Sequence, residues 1–162
     1  MKINLEINNT TQSPIADDFF QAVAEKTLEA GFGHLMSMGQ DGQATSNVRF
    51  LAKKNISISL ALVSPEEIRK LNQQYRQYDS VTDILSFAEY GSLEQIKAEK
   101  SEDMFLGELI LCYNDVKQYA EKENIKLEQE LANVISHGVL HLLGFEHGEK
   151  MFGIQNTIKN KI

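Results

Sequence analysis

Three of the four histidines in this chain lie within the stretch HGVLHLLGFEHG, at a spacing that suits a metal site. His137 and His141 are four residues apart, so on a helix their rings can point to one place. A continuous helix would carry His147 about 9 Å further along the axis, so the chain must turn back. Gly144 stands where a glycine just past the last helical residue can make that turn. The pattern predicts three imidazoles around one metal ion.

Three imidazole ligands are typical of a catalytic zinc ion, because the fourth tetrahedral position stays open for a reactant. The spacing H-x-x-x-H-x-x-G-x-x-H also occurs in zinc proteases, which carry a glutamate directly after the first histidine as general base. This chain has Gly138 at that position, so a peptidase would need Glu146 or Glu108 as a substitute. A zinc peptidase-like hydrolase with metzincin-type spacing therefore stands as an alternative. The fourth histidine, His34, is isolated in a glycine-rich segment, and we expect no role in the site.

The histidines end a strong helical pattern that runs from Leu127 to Leu143. Its apolar residues follow one stripe, and Glu130 and Asn133 continue the polar line of the two helical histidines. Alternating apolar residues predict strands at 3–7 and 56–62. The remaining predicted elements are a helix from Ser13 and Pro14 to Gly31, a helix capped by Ser64 that turns Ile68, Leu71 and Tyr75 inward, β-type runs at 83–90 and 105–113, and helices at 115–123 and 149–159.

Two segments are harder to interpret. Residues 34–55 fit either a loop or a loop that contains a short strand near 48–51. The charged residues 91–103 predict a solvent-exposed loop with at most one helical turn. Because helical and strand periods interleave, we predict an α+β fold. It consists of a single catalytic domain, 1–162, with a small mixed sheet of about four strands and helices packed on it.

Composition restricts the class of protein. A chain of 162 residues with 42% hydrophobic and 24% charged residues is typical of a soluble globular domain. It has neither an apolar run of membrane-spanning length nor the pattern of a signal peptide, so we expect a cytoplasmic protein without membrane contact. The single cysteine, Cys112, is expected to be buried and inert. A net charge of −7 argues against a broad nucleic-acid-binding surface, so any such contact must be local.

Two long motifs and one short motif resemble those of a known family. HGVLHLLGFEH is similar to the histidine signature of the YbeY family of bacterial endoribonucleases, and LNQQYRQYDSVTDILSF is similar to its upstream signature. Leu106-Gly107-Glu108 occupies the position of a family Leu-Gly-Asp motif. The chain departs from the usual pattern at three positions: Glu108 and Glu146 replace aspartates, and Ala88 stands where proline is common.

The resemblance implies a single-strand-specific, metal-dependent endoribonuclease. Such an enzyme would act in ribosomal RNA maturation, at the 3′ end of the small-subunit RNA, and in ribosome quality control. It implies one Zn²⁺ ion held by His137, His141 and His147 on a zincin-like helix at the floor of a cleft. His137 and Arg76 would be catalytic, with Arg76 binding the substrate phosphate. The implied partners are ribosomal RNA and the small ribosomal subunit, with a ribosomal protein or a GTPase as a further possible partner.

Two questions stay open at the level of sequence. Residues 49–76 contain six basic and two acidic side chains, a local charge of +4 that could follow a phosphate backbone or be scattered over the surface. The chain could also be a non-catalytic ribosome assembly factor in which zinc is structural. The general base is not identified by sequence, and Asp83, Glu108 and Glu146 are its candidates.

Overall fold

A computed structural model describes residues 1–37 and 53–161 of the chain. These residues form four strands and six helices around one sheet. Their bounds are β1 (Lys2–Asn9), α1 (Asp17–Ser37), β2 (Asn55–Leu62), α2 (Pro65–Arg76), β3 (Ile84–Ala88), α3 (Leu93–Ala98), β4 (Asp103–Leu111), α4 (Tyr113–Lys122), α5 (Leu127–Leu142) and α6 (Glu149–Lys159).

The sheet is mixed, with strand order β1-β2-β4-β3. β1 and β4 both run parallel to β2, whereas β3 pairs with β4 in the antiparallel direction and forms one edge. The register of β2 and β4 slips by one residue just before Gly107, whose φ is +136°. An ideal Cβ there would lie 2.1 Å from the carbonyl oxygen of Phe87, so only glycine fits beside β3. The predicted α+β class with a small mixed sheet is confirmed.

The two faces of the sheet carry cores of different size. The larger core joins α1 and α5 to the sheet and includes Ile58 and Leu60 of β2 and Leu109 of β4, all almost fully buried. The smaller core packs α2 through Ile68 against the opposite face, where it meets Leu85. Since α2 covers only part of its face, the edge strand β3 is left accessible beside it.

The first helix differs from its predicted bounds. It begins at Asp17 instead of Ser13 and continues through Gly31 to Ser37, so His34 lies in a helix and not in a loop. Gly31 is needed for packing and not for termination, because an ideal Cβ there would come within 2.7 Å of Leu143 Cδ1. The short strand considered near residues 48–51 lies outside the described residues.

Three further expectations can be compared with the structure. Tyr75 does not point inward: its side chain is 57% exposed, because the small core under α2 is filled by Ile68 and Leu71. The charged stretch 91–103 is not simply solvated, since it contains α3 and buries Ile96. Cys112 is buried as expected, and burial raises the pKa of its thiol. None of the helices in the described part of the chain is long and apolar enough to cross a membrane.

Candidate metal centre

The end of α5 brings the three clustered histidines together. His137 and His141 lie one turn apart on the half-buried face of the helix, which ends at Leu142. Gly144 follows in the left-handed conformation with φ +81°, and its N–H donates to the carbonyl of His141 over 3.0 Å. The chain thereby reverses and returns His147 to the other two rings. Gly144 acts as expected for a glycine that ends a helix.

The three imidazoles converge through one atom each. The distances between their Nε2 atoms are 3.1 Å for His137 and His141, 3.2 Å for His141 and His147, and 3.3 Å for His137 and His147. Tetrahedral zinc with bonds of about 2.0–2.1 Å to nitrogen places two ligand nitrogens about 3.3 Å apart. The triangle therefore has the size of one face of a zinc coordination sphere. Among the described residues these three histidines form a group able to hold a metal ion.

Hydrogen bonding orients His141 for metal binding. Its Nδ1 lies 2.9 Å from the carbonyl oxygen of Phe145, which can only accept, so Nδ1 carries the proton. The Nε2 lone pair of His141 then faces the other two rings. This bond depends on the turn at Gly144, which also lets the N–H of Phe145 donate to the carbonyl of Leu140 over 3.0 Å.

Gln155 on α6 lies beside the helix turn that carries His137. Its side chain is buried, and its amide nitrogen donates to the backbone carbonyl of Asn133 over 3.3 Å. The amide oxygen has no partner within hydrogen-bond limits among the described residues. Gln155 is a minor influence against the lowering of the His137 pKa. We expect its amide oxygen to accept a hydrogen bond from His137 Nδ1 when a metal ion binds Nε2.

Burial favours the neutral form of the two helical imidazoles. Loss of solvation lowers the pKa of His137 below its ordinary value, and the neighbouring His141 and His147 lower it further, whereas Asp83 opposes the change. Burial also lowers the pKa of His141, against the effect of the hydrogen bond to Phe145. A metal ion binds neutral imidazole, so these shifts favour the binding state of both rings.

Gly138 stands in close contact with the sheet, at the position where a zinc protease carries its glutamate. An ideal Cβ on Gly138 would lie 2.8 Å from both Ile84 Cδ1 and Leu109 Cδ2, because α5 packs directly on the sheet at this point. The two proposed substitutes are not in the cleft that the histidines line. Glu108 is exposed on β4 opposite Phe87, and Glu146 lines a separate groove on the far side of His147.

Arg76 reaches the histidines from the other face of the sheet. It is the last residue of α2, and its Nη2 donates to the carbonyl oxygen of Ser86 over 2.9 Å. The guanidinium carbon lies 5.8 Å from the centre of the Phe87 ring. Both Arg76 and Ser86 line a cleft of about 560 Å³ together with the three histidines. Arg76 and the three histidines thus line one cleft, and the binding of phosphate by Arg76 stays a prediction.

The edge strand explains how Arg76 is held. The N–H of Cys112 donates to the carbonyl of Asp83, and the N–H of Glu89 donates to the carbonyl of Leu106, so alternate residues of β3 bond to β4. The backbone groups of Ser86 then point away from β4, toward the open edge. Arg76 binds one of these outward-facing carbonyls. Its guanidinium thereby has a defined position at the rim of the cleft.

Asp83 is the candidate acid–base residue that lines this cleft. Its Oδ1 accepts hydrogen bonds from the backbone N–H of Ile84 at 2.7 Å and from the hydroxyl of Thr82 at 3.2 Å. Sequence reasoning did not identify Ser86, Phe145 or Gln155 as parts of the site. Two of them act through backbone carbonyls, which no side-chain pattern reveals, and Gln155 comes from a helix with a weak periodic signal.

The basic segment 49–76 does not form one continuous surface among its described residues. Lys54 is buried and donates to the backbone carbonyls of Glu99 and Ser101. Arg69 forms an exposed ion pair with Asp79, whose Oδ1 lies 2.7 Å from the Arg69 Nε. Arg76 is the basic side chain of the described part of this segment that lines the cleft.

Comparison with known proteins assigns the family. The family model described as Endoribonuclease YbeY matches residues 7–162. The chain belongs to the endoribonuclease YbeY family. Endoribonuclease YbeY of Halalkalibacterium halodurans is 40% identical over 116 residues, which cover 67% of this chain and 73% of that protein. Endoribonuclease YbeY of Staphylococcus carnosus is 35% identical over 130 residues, covering 72% of this chain and 82% of that protein.

A solved structure has the same fold. The solution structure of TM1509 from Thermotoga maritima superimposes with a TM-score of 0.55 at 24% identity, over 98% of this chain and 88% of that chain. The YbeY family and the hydrolase class, predicted from the histidine motif and its upstream companion, are therefore confirmed. The match also covers residues 7–56, where the sequence motifs carry no resemblance of their own.

Proposed function

We propose that this protein is a zinc-dependent endoribonuclease that cleaves single-stranded RNA during ribosomal RNA maturation. One zinc ion would be held by His137, His141 and His147, and Arg76 would bind the phosphate that is cleaved. The observation that carries the proposal is the convergence of three imidazole Nε2 atoms within 3.1–3.3 Å of each other. Membership of the YbeY family supplies the reaction class.

The donor set favours zinc over harder cations. Imidazole nitrogen suits zinc and other late transition metals, whereas magnesium and calcium prefer oxygen ligands. When bound, zinc supplies Lewis-acid stabilisation of the negative charge that develops on the non-bridging phosphate oxygens. Three protein ligands leave one coordination place for the substrate.

Arg76 provides the second positive charge at the cleft. Its planar guanidinium can bind two phosphate oxygens at once, which lysine cannot do. The Ser86 carbonyl takes one of its five N–H groups, and no other described residue bonds to it, so the remaining donors are available to a ligand. Because the side chain is already held at the rim, less conformational entropy is lost when phosphate binds.

Two cavities that meet at His147 suit an enzyme that cuts within a chain. The cleft of about 560 Å³ lies on the Arg76 side, and a groove of about 730 Å³ lies on the other side between α1, α3 and the turn after α5. His147 lines both cavities. RNA could therefore continue in both directions from a phosphate at the histidines, as endonucleolytic cleavage requires.

The biological setting follows from the family and from the charge. We propose that residues 1–162 act as one catalytic domain in the cytoplasm, on ribosomal RNA at the small ribosomal subunit, including the 3′ end of its RNA and ribosome quality control. A net charge of −7 disfavours tight binding to free RNA. A ribosomal protein or a GTPase bound nearby would supply the affinity that the acidic surface lacks.

Metal analysis combined with an RNA cleavage assay tests this proposal. We expect one zinc ion per chain, cleavage of a single-stranded ribosomal RNA fragment, and loss of cleavage after chelation. Arg76→Ala should abolish cleavage while the zinc content stays unchanged. Arg69→Ala is the matched control, because Arg69 lies on the same helix but pairs with Asp79 outside the cleft. Cleavage that survives both chelation and Arg76→Ala would come from a contaminant and would remove support for the proposal.

The peptidase alternative keeps its histidine spacing but lacks a general base in the expected position. Its general base would have to come from a position where Gly138 is packed against Leu109, and neither Glu108 nor Glu146 lines the Arg76 cleft. The assembly-factor alternative differs in its response to metal removal, since a structural zinc ion would be needed for folding itself.

A further inference from the structure

An exposed aromatic surface adjoins the cleft next to Arg76. Tyr75 at the end of α2 is 57% exposed, and its ring packs edge-to-face on Phe87 with the ring centres 5.2 Å apart. Phe87 in turn lies under the guanidinium of Arg76. We call Tyr75 and Phe87 the aromatic ledge.

Tyr75 belongs to a run of exposed hydrophobic residues. Seven large hydrophobic side chains are exposed in the described part of the chain, and three of them fall within seven residues of sequence: Tyr75, Tyr78 and Val81. Within this run, Tyr75 packs on the half-buried Phe87 and so lies beside Arg76, where exposed apolar surface suits a ligand. Residues 82–86 directly after this group line the cleft itself.

We infer that the aromatic ledge stacks a nucleobase of the RNA strand whose phosphate is bound by Arg76. This inference rests on the proposed RNA cleavage. Bases of unpaired RNA stack on tyrosine and phenylalanine, and every base offers a face for such stacking. The contact between Arg76 and Phe87 places the phosphate-binding group and the aromatic rings side by side. A single nucleotide likewise carries its phosphate and its base side by side, so one nucleotide can contact Arg76 and the aromatic ledge together.

The ledge also accounts for selection of single strands. A base in a duplex is already paired and stacked on its neighbours, so it cannot lie on Tyr75 without leaving the helix. An unpaired base meets no such cost. Edge-to-face packing on Phe87 fixes the tyrosine ring and leaves much of it open to solvent. The tyrosine thus contributes to binding of the strand, through its ring face.

Steady-state kinetics with single-stranded RNA oligonucleotides test the ledge. We expect Tyr75→Ala and Tyr75→Leu to raise KM about tenfold or more with little change in kcat. Tyr75→Phe should behave like the wild type, because the ring is kept. Phe105→Ala is the control, since Phe105 is a 43% exposed aromatic residue on β4 that does not line the cleft. Tyr75→Leu keeps apolar packing on Phe87, so it separates stacking from a simple loss of folding.

Substrates that lack one base give a readout that a structural role would not affect. The wild type should show raised KM for the oligonucleotide that is abasic at one position beside the cleaved bond. Tyr75→Ala should be insensitive to the same missing base. Two results would overturn the stacking role of the ledge: equal KM for Tyr75→Ala and the wild type, or an equal rise in KM for both proteins on every abasic substrate. If Arg76→Ala is inactive in the same assay, the proposed RNA cleavage itself would stand. A wild-type protein that cleaves no RNA would overturn the ledge and the proposed function together.

Discussion

Gly138 is packed against Leu109: an ideal Cβ on the glycine would lie 2.8 Å from Leu109 Cδ2. The position directly after the first histidine is therefore a point of contact between α5 and the sheet. In a zinc protease the same position projects the general base. A side chain there could be accommodated only if Leu109 on β4 and Ile84 on β3 moved aside.

Gly138→Ala should destabilise the protein. The added methyl group would force Leu109 and Ile84 to move, and overpacking of this kind costs about 1–3 kcal/mol of the free energy of unfolding. Urea unfolding followed by circular dichroism measures the effect. Gly153→Ala on α6 is the control, since a Cβ there meets nothing within 4 Å and should leave stability equal or up to about 1 kcal/mol higher. Equal stability of both variants would contradict the packing argument.

Zinc should stabilise the folded protein without being required for folding. The larger core is continuous through α1, α5 and the sheet, and the histidines lie at its margin. A ligand at a hundredfold excess over its Kd adds about 2.7 kcal/mol to the free energy of unfolding. We expect thermal unfolding of chelated protein to remain cooperative, at a lower midpoint. His147→Ala should remove the response to zinc with little change in the chelated protein, because His147 is exposed. Complete unfolding upon chelation would instead favour the assembly factor with structural zinc.

Gln155→Leu should weaken zinc binding while Arg76 and the three ligands stay in place. Loss of a residue that orients a metal-bound histidine reduces metal affinity about 10–100-fold. Competition with a chelating dye measures that affinity directly. Thr157→Val is a control on the same helix, because the Thr157 hydroxyl is exposed and donates to the carbonyl of Gly153, within α6. Unchanged affinity in Gln155→Leu would show that Gln155 does not orient His137.

Gly144→Ala should damage the site through the backbone. Its φ of +81° is unfavourable for alanine by about 1 kcal/mol, although a Cβ would meet no atom closer than 3.7 Å. Relief of that strain would shift the Phe145 carbonyl away from His141 and move His147, so zinc affinity should fall along with stability. Gly144→Asn should have a smaller effect, because asparagine tolerates the left-handed conformation. The two variants are compared by zinc titration, and equal losses would argue against a conformational cause.

Arg76→Lys should not restore the activity of Arg76→Ala. Lysine keeps the charge but lacks the planar donors that bind the Ser86 carbonyl and a phosphate at the same time. We expect kcat/KM at least about tenfold below the wild type, as for loss of a bidentate contact worth more than 1.4 kcal/mol. Full activity of the lysine variant would reduce the role of Arg76 to its charge.

Much of the site could be predicted because it is encoded locally. The spacing of His137, His141 and His147 and the glycine between them lie within eleven residues, and helix geometry relates those positions directly. Ser64 likewise caps α2 as expected, with its hydroxyl accepting from the N–H of Glu67 over 3.2 Å. Both features depend on neighbours along the chain.

The prediction for Gly31 was wrong for the opposite reason. A glycine near the end of a helical pattern predicts the end of the helix when only neighbouring residues are considered. Here Gly31 instead lets Leu143, from a distant part of the chain, approach α1. Tyr75 was expected inside because its helical spacing matches Ile68. Ile68 and Leu71 fill the small core beneath α2, and Tyr75 stays exposed at the end of the helix.

The sequence by itself determined that three imidazoles can meet at the end of one helix, because their spacing, helix pitch and one glycine suffice for that. Only the tertiary structure decided which groups surround them. Arg76 comes from the opposite face of the sheet to the Ser86 carbonyl, Gln155 comes from the last helix, and Gly138 packs against Leu109 of β4. These relationships depend on packing between segments that are far apart in the chain. The spacing of residues within one helix or strand carries no information about such packing.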